Sequence, residues 1–182
     1  VEINNPAGLT ISDGSLIEAG NQLKLTNGVI STSAAGKLVL LGTSPSAVAP
    51  VGGSSVSYVS GPLTKQIING DSFVFPLGKG PVMGHRFTLT SAAGVTASFT
   101  AEFFSPNTTA TSIAPPLEVT NTLEYWNVSS PSAASARIKI GWDPQSDLTP
   151  LVTGNGLADM RVARYISGLW TEQPSTASGT NN

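Results

Sequence analysis

The chain has 182 residues and a mass of 18.6 kDa, and 11% of its residues are charged against 40% that are hydrophobic. The net charge of −2, with no block of like charges, argues against nucleic-acid and membrane-surface partners. Cysteine is absent, which excludes disulfides, thiolate nucleophiles and thiolate metal sites. No apolar run approaches the roughly 18 residues of a membrane span, so membrane insertion is not expected. The start at Val1, without Met or a signal-peptide pattern, indicates a processed or excised fragment.

A short repeat occupies the N-terminal region. Three consecutive segments of about 14 residues align with a leucine at the same position and with glycine or asparagine at the corners. Two short strands per segment would suit either a small β-solenoid or a meander of tight hairpins. Pro45 and Pro50 interrupt the third segment, which indicates a terminating cap. The three segments are 8–21, 22–36 and 37–50.

A passage rich in glycine and proline, from Ala47 to Ser55, resembles a linker and separates this repeat from the strand signals that follow. We therefore predict an all-β chain with a short β-repeat region over 1–50 and an antiparallel β-sandwich module over 51–182. Seven predicted strands are typical of a sandwich. They are Val56–Ile68, Ser72–Leu77, His85–Thr90, Val95–Phe104, Leu117–Val128, Ala134–Trp142 and Met160–Ile166.

Alternation of apolar and polar residues is clearest in two of these strands. Over 95–103 the valine, alanines and phenylalanines share one face, and threonine, serine and Glu102 share the other. Over 136–142 the small and apolar residues are predicted to face the core, with Arg137 and Lys139 facing solvent. The tail from Thr171 to Asn182 has no apolar period, so it is expected to be loose.

Few residues are available for catalysis. His85, the single histidine, opens a predicted strand and is interpreted as a packed or edge residue. Two carboxylates could serve glycoside hydrolysis only if they met across a cleft. Glu102 and Glu118 alternate with apolar neighbours, so they are interpreted as solvent-facing. We predict no catalytic residue and no enzymatic activity. The remaining acidic candidates are Glu124, Asp143, Asp147 and Asp159.

One loop carries the oxygen spacing of a calcium site. Asp143, Gln145 and Asp147 recur at every second position, as ligands do in calcium-binding loops. The loop lacks the glycine and the terminal bidentate glutamate of an EF-hand, and Pro144 after an aspartate predicts a turn. A turn is the interpretation we hold, and calcium is the one cofactor that the two aspartates would bind.

Aromatic side chains are the candidates for ligand binding. Exposed rings can stack on sugars, because flat surfaces supply contact area at small entropic cost. Trp142 and Tyr125 alternate with apolar residues and are interpreted as core. Trp126 and Trp170 remain as the candidate carbohydrate-binding residues.

Six segments carry a resemblance to a known class of protein. They are SYVSGPLTKQI (57–67), SFVFPLGKG (72–80), HRFTLTSAAG (85–94), LEYWNVSS (123–130), RIKIGWD (137–143) and ADMRVARYISGLWTEQ (158–173). Their order over about residues 55–175 resembles modules of large secreted and surface proteins of Bacteroidetes-type bacteria. The resemblance implies a non-catalytic module at the outer-membrane surface or outside a Gram-negative cell, in chains exported by type IX secretion. No recognisable sorting domain accompanies it.

Two functions follow from these observations. The first is a structural or adhesive module that assembles with neighbouring modules of the same or like chains. The alternative is a carbohydrate-binding module that uses exposed tryptophans on surface glycans. If a final strand of the sandwich lies beyond Asn182, the module would also present an unpaired sheet edge.

Overall fold

The computed structural model describes residues 1–80, 82–83, 87–106, 112–143, 146 and 156–179. The predicted all-β class is confirmed: the described residues form strands and a 3₁₀ turn at Gly156–Asp159, with no α-helix among them. No helix of this part of the chain is long and apolar enough to cross a membrane. Two compact units are present, Val1–Phe104 with Trp126–Gly141, and Ser105–Tyr125 with Trp142–Asn182.

The first unit begins with nine short strands that pair in parallel. The chain visits three sheets in turn and then returns to the first, so that each circuit, here called a coil, adds one strand to each sheet. The first coil (1–22) holds β1 (Glu2–Asn4), β2 (Leu9–Thr10) and β3 (Leu16–Ala19). The second (23–47) holds β4 (Leu23–Asn27), β5 (Ile30–Ser31) and β6 (Lys37–Leu40). The third (48–67) holds β7 (Val48–Ala49), β8 (Val59–Ser60) and β9 (Leu63–Ile67).

The pairing register shows that the predicted 14-residue repeat is wrong. Leu9 pairs with Ile30 and Leu16 with Lys37, so strands that stack on each other lie 21 residues apart. A repeat contains three strands rather than two, because the chain turns through three sheets before it closes a circuit. The hairpin alternative is also wrong, because tight hairpins join antiparallel strands and these pairs are parallel.

The passage predicted to be a linker belongs to the third coil. β7 lies within it and pairs in parallel with β4. After Pro50 the coil continues to Ile67, with β8 on β5 and β9 on β6. The prolines therefore lengthen this coil and do not cap the stack.

Nine further strands follow, and antiparallel pairs link those whose registers are given below. They are β10 (Ser72–Phe75), β11 (Gly78–Lys79), β12 (Val82–Met83), β13 (Phe87–Ser91), β14 (Ala97–Phe104), β15 (Tyr125–Ser129), β16 (Ala136–Ile140), β17 (Val162–Ile166) and β18 (Leu169–Gln173). One sheet has the order β15-β14-β9-β6-β3, and another has the order β10-β13-β16. β9 joins the coils to the rest of the unit, because it is parallel to β6 and antiparallel to β14.

Aromatic side chains of both sheets fill the core of the first unit. The rings of Phe73 and Phe75 meet edge to face with centroids 4.9 Å apart, and Phe87 lies 5.8 Å from Phe75. Phe99 and Phe103 of β14 are buried in the same cluster. This cluster is continuous with the leucines and isoleucines inside the coils, so the first unit has one hydrophobic core.

Two predicted strands differ from the observed ones. The strand predicted over 117–128 begins only at Tyr125, because the Asn121 side-chain oxygen accepts a hydrogen bond from the Leu123 N–H (2.7 Å) and holds a local turn there. The strand near residue 162 pairs with β18 in the second unit. Residues 171–173, predicted to open a loose tail, belong to that hairpin.

Candidate functional site

The most distinctive cluster of the first unit surrounds Trp126 on β15. Its indole stacks on the ring of Phe87 with centroids 6.1 Å apart and an interplanar angle of 17°. The ring of Phe103 lies 5.4 Å away at 53°. The Trp126 Nε1 atom is buried and has no hydrogen-bond partner, which is an unusual cost for an indole N–H.

β16 is the edge strand of the sheet β10-β13-β16, and its side chains are less buried than the alternation predicted. Ile138 pairs with Leu89 and Ile140 with Phe87. Paired residues share a face, so both isoleucines lie on the core side of the sheet. Leu89 is fully buried, yet Ile138 is 39% exposed. The predicted burial of this strand is therefore wrong at its outer margin, because no described strand pairs with its other side.

β15 is an edge strand as well, and it presents a similar margin. Val128 lies two residues after Trp126 and so shares its face of the strand. It is 37% exposed. Together, Trp126, Val128, Ile138 and Ile140 form an apolar border of the core that we call the open margin.

Lys65 is a buried cation that the sequence analysis did not identify. It lies between Leu63 and Ile67 on the buried face of β9 and is 1% exposed. Its Nζ donates to the Gln66 carbonyl and lies 5.3 Å from the centroid of the Phe73 ring. Burial lowers the pKa of Lys65 below its ordinary 10.5, while the Asp71 carboxylate opposes that shift. Period-2 alternation alone would have placed this lysine inward.

Glu102 belongs to a small polar group on the opposite face of β14. Lys79 Nζ lies 4.0 Å from its carboxylate and 5.7 Å from the centroid of the Phe104 ring. Partial burial raises the pKa of Glu102, and the Lys79 charge opposes that shift. No second carboxylate joins this group among the described residues, so it lacks the pair that glycoside hydrolysis requires.

The predicted cation loop is described in part. Asp143 is exposed, and its carbonyl accepts a hydrogen bond from the Ser146 N–H (3.0 Å), while its N–H donates to Ser146 Oγ (3.2 Å). These bonds make a turn of the kind that the sequence indicates. Asp147 and Gln145 lie outside the described residues, as does His85. No group of three potential metal ligands is present in the described part of the chain.

The aromatic residues of the second unit lie mainly in packing positions. Trp170 is 9% exposed, and its ring lies 5.2 Å from that of Tyr165, its cross-strand partner in the β17–β18 hairpin. Trp170 also forms a parallel bridge to Ile113. Trp142 is half-buried and follows the end of β16. Trp126 and Trp170 belong to different units, and Trp170 has little ring surface to offer a sugar.

Comparison with known proteins adds no further assignment. No protein-family model, no curated protein and no solved structure matches the chain.

Proposed function

We propose that this chain is a non-catalytic structural or adhesive module of a large extracellular protein on the surface of a Gram-negative bacterium. In this proposal the coils are a three-sided parallel β-solenoid that continues into an antiparallel sandwich. The module contributes rigid, stackable length to a longer protein and meets neighbouring modules through its open sheet edges. Export by the type IX route is part of the same proposal, since the order of segments after residue 55 resembles such proteins.

The observation that carries this proposal is the open end of the coil stack. β1, β2 and β3 each occupy the end of their sheet and pair on one side only. At the opposite end, β9 pairs with β14, and Val59 forms a bridge to Leu77. Unpaired strands are templates for further strands. The stack can therefore be extended at its first coil by another coil of the same kind.

The charges of the coils favour such an extension. All the charged side chains of the first coil are acidic, Glu2, Asp13 and Glu18, whereas those of the second are Lys24 and Lys37. Glu2 pairs in register with Lys24. A basic coil would therefore complement the first coil, whereas two first coils placed end to end would bring acidic residues together.

Polar contacts also link one coil to the next on the outer surface. Thr26 Oγ1 donates to the Glu2 carboxylate at 2.9 Å, and Ser33 Oγ donates to the Asp13 carboxylate at 2.7 Å. The acidic residues of one coil thus lie within reach of donors on the following coil. A preceding coil with the sequence of the second would extend the inward leucines and isoleucines by one further layer.

Adding a coil tests this proposal. A second copy of residues 22–42, placed directly before Val1, continues the 21-residue register of β2 on β5 and of β3 on β6. We expect a higher urea midpoint and a larger m-value, because stacking buries additional surface on folding. The product should remain monomeric in sedimentation.

Two control insertions separate the causes. In one, the inward leucines and isoleucines of the added copy are replaced by serine, and no gain in m-value is expected. In the other, its two lysines are replaced by glutamate, and a smaller gain is expected because acidic residues then meet. An authentic copy that is digested by protease as rapidly as the serine version, with no change in m-value, would contradict the stackable module.

A further inference from the structure

We propose that the free edge of β16 binds an extended strand of a neighbouring module in which apolar residues alternate with acidic ones. The inference rests on the proposed function for the source of the strand. It adds the surface that the strand occupies and the chemistry that selects it.

The first line of evidence is that β16 is a regular strand with one side unpaired. Its five residues pair continuously with β13, from Phe87 with Ile140 to Ser91 with Ala136, without a bulge. It contains no proline. β16 ends the order β10-β13-β16, so no described strand lies on its other side. Main-chain donors and acceptors therefore remain along this edge, and a strand can pair with them.

The second line of evidence is the open margin beside that edge. Ile138 lies on the core face next to fully buried Leu89, yet more than a third of its surface is exposed. Val128 is exposed to a similar extent on β15. An added strand would place every second side chain over this border. Those side chains should be apolar, because they would complete a hydrophobic core.

The third line of evidence is the charge on the outer face of β16. Arg137 and Lys139 point away from the core and pair with Thr90 and Thr88, which are neutral. Neither cation has an acidic partner among the described residues. On an added strand, the outward residues would lie beside these cations, and opposite charges there are favourable. Glutamate or aspartate at the outward positions therefore fits best.

The same charges disfavour a second copy as the occupant. Pairing of β16 with β16 of another copy would place arginine and lysine beside lysine and arginine, and like charges across a strand pair are destabilising. Arg137 and Lys139 thus exclude self-association and select an acidic partner, which combines attraction with repulsion in one edge.

Peptide binding to the whole protein tests this inference. The probes are two capped peptides that span the length of β16, one alternating valine with glutamate and the other alternating valine with lysine. We expect the glutamate peptide to bind at least about tenfold more tightly than the lysine peptide. Binding should protect edge amides of β16 from hydrogen exchange, shift the Trp126 indole resonance and weaken with added salt.

A charge-reversed variant provides the matched control. In Arg137→Glu/Lys139→Glu the preference should invert, so that the lysine peptide binds more tightly. Both positions are exposed, and circular dichroism will report whether the variant keeps the strand content of the parent. Equal binding of both peptides, no binding of either, or a dimer formed through β16 without peptide would each overturn the inference.

The coil insertion and the peptide experiment fail independently. The insertion reports on β1, β2 and β3, whereas the peptides report on β16. Loss of the insertion effect with intact charge-selective binding would reject the stackable module and leave the acidic strand site.

Discussion

The Nζ atom of Lys65 lies 5.3 Å from the centroid of the Phe73 ring, which places a cation against an aromatic face in the core of the first unit. Lys65 pairs with Phe99 of β14 on one side and with Leu40 of β6 on the other. Its side chain therefore sits at the junction between coils and sandwich-like sheets. The ring and the Gln66 carbonyl compensate in part for lost hydration.

Replacement of this lysine should stabilise the protein. Lys65→Met keeps an unbranched side chain of similar length and removes the cost of burying a charge. We expect a gain of about 1–2 kcal/mol in the free energy of unfolding at neutral pH, measured by urea titration. Lys24→Met, at an exposed position of β4, is the control and should have little effect.

The pH dependence distinguishes desolvation from simple packing. Burial lowers the pKa of Lys65, so the folded protein holds this proton less tightly than the unfolded chain does. Between the folded pKa and the ordinary 10.5, unfolding takes up a proton, and the free energy of unfolding rises with pH. The advantage of Lys65→Met should therefore be largest below the folded pKa and shrink towards pH 10.5. An advantage that is constant with pH would contradict this explanation.

Trp126 should tolerate loss of its N–H but not of its ring. Its Nε1 is buried without an acceptor, so Trp126→Phe removes an unsatisfied donor while keeping a ring between Phe87 and Phe103. We expect a cost of about 1 kcal/mol or less, since the relieved desolvation offsets the lost volume. Trp126→Ala should cost about 3 kcal/mol. Equal losses for the two variants in urea denaturation would show that the indole N–H has a partner.

The repeat in the coils shows how a correct pattern led to a wrong period. The first six strands start seven residues apart, and any two strands compared along the chain share an inward apolar pattern. An alignment at 14 residues matches strands two steps apart, which lie in different sheets. Three steps, or 21 residues, close a circuit, and only pairing partners reveal that number. The starts are Glu2, Leu9, Leu16, Leu23, Ile30 and Lys37.

Strand positions after residue 55 were predictable, whereas their environments were not. The alternation over 97–104 correctly placed Phe99 and Phe103 inward. The same reasoning buried Ile138, but burial also depends on which strands lie beside and above β16. Those neighbours come from distant parts of the chain, so a local period cannot supply them. The open margin, which combines two edge strands, was therefore visible only in the structure.

The β17–β18 hairpin of the second unit offers a test of a surface ion pair. Arg161 Nε donates to the Glu172 carboxylate at 2.9 Å, and both side chains are about one third exposed. Glu172→Gln should therefore cost less than about 1 kcal/mol. Arg161→Ala should cost more, because the guanidinium also donates to the carbonyls of Ala158 and Met160. Hydrogen exchange of the hairpin amides measures both effects, and equal protection loss would contradict the backbone contribution.

Gly28 allows the first two coils to approach each other closely. Its φ is +97°, and a Cβ at this position would lie 1.8 Å from the carbonyl oxygen of Asn5 in the first coil. That oxygen belongs to the backbone, so it cannot move away as a flexible side chain would. Gly14 has a similar φ of +82° with nothing within 4 Å, and Gly20 has neither constraint.

Alanine at these three glycines should separate backbone strain from steric contact. Gly28→Ala combines both effects and should cost about 2–4 kcal/mol in the free energy of unfolding. Gly14→Ala carries only the left-handed backbone penalty of about 1–2 kcal/mol. Gly20→Ala should be close to neutral. Urea titration of the three variants gives the order directly. If Gly28→Ala cost no more than Gly14→Ala, the coils could not be stacked as closely as the 21-residue register places them.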